Sequence, residues 1–82
     1  MKKTKKLLVV GAGSIGKRQI SNFGKYFIID LAEIRNDRIS EATSQYKINK
    51  VFKDYKIAFK SEKYDAVAIT VPPNLHLPIA QL

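Results

Sequence analysis

The feature that most constrains the fold is an apolar run that meets three closely spaced glycines, in LLVVGAGSIGKRQISNFG. An apolar run that ends at a glycine is typical of a buried parallel strand, which we place at Lys6–Val10. The residues after the second glycine predict a helix over Ser14–Phe23, which includes the third glycine and ends at Gly24. A strand followed by a tight turn and a helix is the first half of a βαβ unit, so an α/β fold is expected.

The rest of the chain continues this alternation of strand and helix. We expect Ile15, Ile20 and Phe23 to face inward from the first helix. The remaining predicted elements are a strand at Tyr26–Ala32, a helix capped by Asn36 or Asp37 and running to Tyr46, a strand at Val51–Phe52, a helix capped by Asp54, a strand at Tyr64–Val71 and a helix opening at Asn74. This order predicts part of a doubly wound, Rossmann-type parallel sheet of about four strands, in the order 3-2-1-4.

Length and composition limit the classes of protein to consider. A chain of 82 residues supports one small core and no second domain. There is no cysteine, which excludes disulfides and thiolate metal sites, and the single histidine excludes a histidine-rich metal site. The net charge of +8 is spread over scattered lysines, which favours a solvated surface over a nucleic-acid interface. The apolar runs are too short to span a membrane, so we expect a cytoplasmic protein.

The three glycines follow the G-x-G-x-x-G pattern, in which each has a separate mechanical role. Gly11 permits a tight turn, Gly13 lets the backbone approach a pyrophosphate, and Gly16 lets the helix pack closely on the strand. The helix N-terminus adds free N–H groups and a positive dipole end, with the amides of Ser14 and Ile15 nearest. Because this pattern lies between a strand and a helix, it predicts a dinucleotide-binding loop instead of an unliganded turn.

A dinucleotide site of this kind needs an acid after the second strand to bind the ribose hydroxyls. Asp30 and Glu33 are both candidates, and we favour Glu33 because the run IIDLAEI lets the strand extend beyond Asp30. A carboxylate there would repel a 2′-phosphate, which predicts NAD as the cofactor. Arg35 and Arg38 lie close by in the chain and leave NADP as the alternative. The sequence offers no physical reason for Asp30 within a buried strand.

Three segments resemble the glucose-fructose oxidoreductase/inositol dehydrogenase (Gfo/Idh/MocA) family. They are VVGAGSIGKRQISNF, EIRNDRISEATSQY and YDAVAITVPPNLHLPIA, and they are spread along the chain from residue 9 to residue 80. Gln19 stands where the family often has His, and Val71 where it often has Thr. The resemblance implies that the end of the fourth strand and the next turn line the nicotinamide side of the cofactor. The residues concerned are Thr70, Val71, Pro72, Pro73, Asn74 and His76.

The resemblance implies the NAD(P)-binding portion of an oxidoreductase that transfers a hydride between nicotinamide and a sugar-like or cyclitol-like alcohol. Family members also carry a Glu-Lys-Pro segment, associated with proton transfer, and a C-terminal substrate domain. Neither is found in this sequence, so we interpret residues 1–82 as an incomplete N-terminal Rossmann domain without a catalytic residue of its own. Its expected partners are the dinucleotide and the missing catalytic domain, with self-association through an unpaired sheet edge. The alternative is a non-enzymatic nucleotide-sensing domain.

Overall fold

The computed structural model describes residues 3–70, which form a parallel four-stranded sheet and three helices. The sheet has the order β3-β2-β1-β4. This confirms the predicted α/β fold and its strand order. The elements are β1 (Lys6–Val10), α1 (Ser14–Phe23), β2 (Ile28–Ala32), α2 (Asn36–Gln45), β3 (Lys50–Phe52), α3 (Tyr55–Ser61) and β4 (Ala66–Ile69).

Both faces of the central strand β1 are buried, which explains its continuous apolar run. Leu7 and Val9 pack on the face that α1 and α2 cover, together with residues of both helices. Leu8 and Val10 pack on the opposite face, where α3 contributes Ala58. The chain therefore changes sides of the sheet after β3, as right-handed crossovers in this strand order require.

Two predicted strands are shorter in the structure than expected. β2 begins at Ile28 and not at Tyr26, because the N–H groups of Tyr26 and Phe27 both donate to the Phe23 carbonyl at 3.0 Å. These bonds close a turn after α1 and keep both residues out of the sheet. β4 comprises Ala66–Ile69 and starts two residues later than predicted.

The predicted inner face of α1 is partly wrong. Ile20 is buried, but Ile15 is 59% exposed and Phe23 is 39% exposed. Successive helical residues are about 100° apart, so Ile15 lies about 140° around the helix from Ile20. The residue that shares the buried side with Ile20 is Gly16, four positions earlier.

Of the helix caps predicted for α2 and α3, the one for α3 is confirmed and the one for α2 is wrong. At α3, Asp54 is the N-cap, and its carboxylate accepts a hydrogen bond from the Lys56 N–H at 2.8 Å. At α2 neither Asn36 nor Asp37 is the cap, because Arg35 occupies that position and makes no side-chain cap bond. Asp37 lies in the first turn of the helix instead.

Three segments that follow strands meet at the carboxyl edge of the sheet. Gly11 follows β1, and its N–H donates to the carbonyl of Ala32 at 2.9 Å. Glu33 follows β2 and donates in the same way to Phe52. Thr70 follows β4 and donates through its N–H to Val10 at 2.9 Å. Continued strand pairing therefore brings the glycine loop, the candidate acid and Thr70 together, at the edge where open parallel sheets bind ligands.

Within residues 3–70, no helix has the length and apolar character needed to cross a membrane.

Candidate functional site

The turn after β1 depends on Gly11, which has a φ of 98°. Side chains with a Cβ rarely adopt this conformation, so glycine is required here. Gly11 is also buried, because its N–H is tied to β2 while the chain turns towards α1. The structure thus gives Gly11 the tight turn that its position in the sequence predicts.

Gly16 brings α1 into contact with that turn. A Cβ added at Gly16 would lie 2.0 Å from the carbonyl oxygen of Gly11 and 3.0 Å from the hydroxyl of Thr70. Real Cβ atoms do not approach a backbone oxygen so closely. The third glycine therefore allows close packing as predicted, and the atom it admits is the loop carbonyl.

The N-terminus of α1 is arranged to receive an anion. Gly13 is the N-cap, and the first helical bond runs from the N–H of Lys17 to its carbonyl at 2.9 Å. The amides of Ser14 and Ile15 come before this bond and have no acceptor within the helix. Since the first turn contains no acidic residue and no side-chain cap, α1 itself supplies nothing that would compete for these amides.

Glu33 directs its carboxylate at the glycine loop. One oxygen, Oε1, accepts a hydrogen bond from the N–H of Ala12 at 2.7 Å, and Oε2 accepts one from the N–H of Arg35 at 2.9 Å. The residue is only 8% exposed. A carboxylate has about four acceptor positions, so two remain after these bonds and could accept the hydroxyls of a ribose.

Asp30 lies elsewhere and has a structural role that the sequence did not reveal. It is fully buried within β2. Its carboxylate accepts hydrogen bonds from the Asn49 side chain and the Lys50 N–H, each at 3.1 Å, and from the Tyr64 hydroxyl at 2.7 Å. Burial, followed by the hydrogen bond to Asp30, raises the pKa of Tyr64. The carboxylate therefore joins β2 to the start of β3 and to the segment before β4, and it does not face the loop.

The two arginines after Glu33 differ in their surroundings. Arg35 forms a two-pronged ion pair with Asp37, with distances of 2.7 and 3.1 Å. The hydrogen bonds of this pair raise the pKa of Arg35 and lower the pKa of Asp37. The guanidinium of Arg38 instead lies over the loop, where its Nη1 is 3.6 Å from the position of a Cβ added at Gly13. Arg38 therefore places a positive charge beside the glycine at which a pyrophosphate would approach.

Thr70 is the last of the predicted site residues that the structure describes. Its hydroxyl donates towards the carbonyl of Val10 at 2.8 Å and that of Gly11 at 3.1 Å. The other residues assigned to the nicotinamide side, Val71, Pro72, Pro73, Asn74 and His76, lie outside the described residues. Their assignment stays a prediction.

Besides the bonds of Thr70, two contacts of the glycine loop were not predicted from the sequence. The bond between Ala12 and Glu33 has no signal in the sequence, because a backbone amide looks the same at every position. The place of Arg38 could have been found from its spacing: it is the third residue of α2, and the carboxyl edge of a parallel sheet lies beside the start of each following helix. Within residues 3–70, no group of three or more metal-ligating side chains is present.

Comparison with known proteins agrees with this geometry. Residues 5–82 match the model of the Gfo/Idh/MocA family, described as an oxidoreductase family with an NAD-binding Rossmann fold. No curated protein and no solved structure matches the chain.

Proposed function

Because the chain belongs to the Gfo/Idh/MocA oxidoreductase family, we propose that it binds NAD on the glycine loop for hydride transfer to or from a sugar-like or cyclitol-like alcohol. The observation that carries this proposal is the carboxylate of Glu33, held 2.7 Å from the N–H of Ala12 in the glycine loop. When bound, the nicotinamide supplies the hydride chemistry. The chain's own residues bind the cofactor and orient it.

The residues present fit a dinucleotide. At Gly13 the backbone has no side chain to keep a pyrophosphate away, and the amides of Ser14 and Ile15 stand at the positive end of α1. Arg38 adds a full positive charge beside them. Glu33 supplies acceptors for ribose hydroxyls at the neighbouring strand end.

The charges favour NAD over NADP. Glu33 would repel a phosphate on the adenosine ribose, and its two backbone hydrogen bonds keep the carboxylate from turning away. Arg35 is paired with Asp37, so that its charge is already balanced. Arg38 lies beside Gly13 and would interact with a pyrophosphate, which NAD and NADP share.

We expect the Gly13→Val variant to fold but to bind NADH at least about 100-fold more weakly, equal to about 2.7 kcal/mol. The backbone at Gly13 is extended, with φ −73° and ψ −167°, a conformation that valine readily adopts. The branched side chain would then occupy the approach to the helix N-terminus. Isothermal titration calorimetry with NADH measures the loss, and circular dichroism confirms the fold.

Gly13→Ala is the graded control for this substitution. Its methyl group would make only ordinary contact with Arg38, at 3.6 Å, so a smaller loss of affinity is expected. Binding of NADH to a folded Gly13→Val protein with unchanged affinity would contradict the proposal that the pyrophosphate lies on this loop.

We expect Glu33→Gln to reduce the preference for NADH over NADPH by about tenfold, or about 1.4 kcal/mol. Glutamine keeps an oxygen for the Ala12 N–H but removes the charge that repels the 2′-phosphate. The measurement is the ratio of the two dissociation constants. Glu62→Gln is the matched control, because Glu62 pairs with Lys6 at the opposite edge of the sheet and should leave the ratio unchanged. An unchanged ratio in Glu33→Gln would show that Glu33 is not the ribose acid.

A further inference from the structure

We propose that Thr70 is a positioning residue that orients Glu33 through the peptide group between Gly11 and Ala12. This inference rests on the proposed function, because the effect of that orientation is read as cofactor affinity and preference. Thr70 touches neither Glu33 nor the reacting atoms in this role. It acts through the loop backbone.

One peptide group lies between the two side chains. The carbonyl oxygen of Gly11 and the N–H of Ala12 belong to the same planar unit and can only turn together. The Thr70 hydroxyl lies 3.1 Å from that oxygen, and Oε1 of Glu33 lies 2.7 Å from that nitrogen. Thr70, which follows β4, therefore holds the carbonyl end of the peptide group, and Glu33, which follows β2, holds its N–H end.

The hydroxyl is itself held firmly in place. Thr70 donates through its backbone N–H to the Val10 carbonyl at 2.9 Å, which extends the pairing of β4 with β1. Its single hydroxyl proton is shared between the carbonyls of Val10 and Gly11. Gly16 packs against the same place, since a Cβ there would lie 3.0 Å from the hydroxyl. Thr70 thus has little freedom to move away from the loop.

Loss of the hydroxyl would release the Gly11 end of this peptide group. The Gly11 residue is buried, and a buried carbonyl without a donor is unfavourable. The loop would relieve this by rotating the peptide, and the same rotation would carry the Ala12 N–H away from Glu33. The carboxylate would then be less well ordered before the cofactor arrives, which lowers affinity.

We expect Thr70→Val to raise the dissociation constant for NADH about tenfold, while Thr70→Ser restores wild-type affinity. The preference for NADH over NADPH should also fall in the valine variant, because the Glu33 carboxylate that repels the 2′-phosphate is held less firmly. Thr43→Val is the matched control: the Thr43 hydroxyl bonds to carbonyls on the exposed side of α2 and has no part in the loop. If Thr70→Val does not fold, the comparison of Thr70→Ala with Thr70→Ser isolates the hydroxyl.

A second measurement does not need the cofactor. In proton–nitrogen NMR spectra, Thr70→Val should move the Ala12 amide resonance towards the value that it takes in Glu33→Gln, and Thr70→Ser should not. The double variant Thr70→Val/Glu33→Gln should lose less affinity than the sum of the single losses. Additive losses together with an unmoved Ala12 resonance would overturn the proposal. Absence of dinucleotide binding by the unaltered protein would instead contradict the proposed function, and the Ala12 resonance would still decide the role of Thr70.

Discussion

Gly16→Ala is expected to lower the free energy of unfolding by about 3 kcal/mol and to abolish measurable binding of NADH. The added Cβ would meet the Gly11 carbonyl at 2.0 Å, and that atom belongs to the backbone. Relief requires α1 to move away from β1 or the Gly11 turn to open. Either movement displaces the helix amides that the proposed pyrophosphate site uses. Urea denaturation and calorimetric titration measure the two effects.

The contrast with Gly13→Ala separates this clash from the general cost of replacing glycine. Both substitutions add one methyl group close to the same loop, but only the one at Gly16 meets backbone. Gly16→Ala should therefore be far more destabilising, even though alanine is the better helix former. Equal stabilities for the two variants would contradict the close approach of α1 to the Gly11 carbonyl.

Asp30→Ala is expected to lower the free energy of unfolding by about 3 kcal/mol, with a small effect on cofactor preference. The substitution removes the common acceptor of Asn49, Lys50 and Tyr64 and leaves a cavity in place of the fully buried carboxylate. Asp30→Asn keeps an oxygen acceptor and should cost less. Chemical denaturation measures both variants. A large change in the ratio of NADH to NADPH affinities in folded Asp30→Ala would revive Asp30 as the ribose acid.

Tyr64→Phe tests the same cluster from its other side. In a double-mutant cycle, Asp30→Ala and Tyr64→Phe should be coupled by about 1.5–3 kcal/mol, the range for a hydrogen bond to a charged group. The raised pKa of Tyr64 adds a dependence on pH. The folded protein keeps the hydroxyl proton of Tyr64 more tightly than the unfolded chain does. The contribution of Tyr64 to the free energy of unfolding is therefore complete below the ordinary tyrosine pKa of 10.0, and it is lost as the pH rises above that value. When the pH is raised above 10.0, the free energy of unfolding should therefore fall less in Tyr64→Phe than in the wild type.

The sequence predicted the strand order and the glycine loop because both depend on local signals. The alternation of predicted strands and helices identifies the crossovers, and the glycines at positions 11, 13 and 16 identify the turn. It also favoured Glu33 over Asp30, because the apolar run lets the strand extend beyond Asp30, and in the structure the Glu33 carboxylate lies at the loop. The prediction that Ile15 faces inward was wrong because this residue lies about 140° around the helix from the buried Ile20.

The role of Asp30 could not be predicted, since it depends on contacts between distant parts of the chain. Its three donors come from residues 19 to 34 positions later, and no local pattern connects them. The same holds for Thr70, whose hydroxyl reaches a carbonyl 59 residues away. Such bonds follow from the parallel register of β2 with β3 and of β1 with β4, which is known only once the sheet is formed.

The bond between Glu33 and Ala12 has a consequence for how cofactor choice could change through mutation. Ordering a glutamate side chain costs up to about 2 kcal/mol of conformational entropy. Here much of that loss occurs when the chain folds, because the carboxylate is already fixed to the loop. A residue at position 33 suited to NADP, such as serine, would leave the Ala12 amide without this partner. Selection for a new cofactor at this position would therefore also lower stability, and we expect it to require a compensating change elsewhere in the loop.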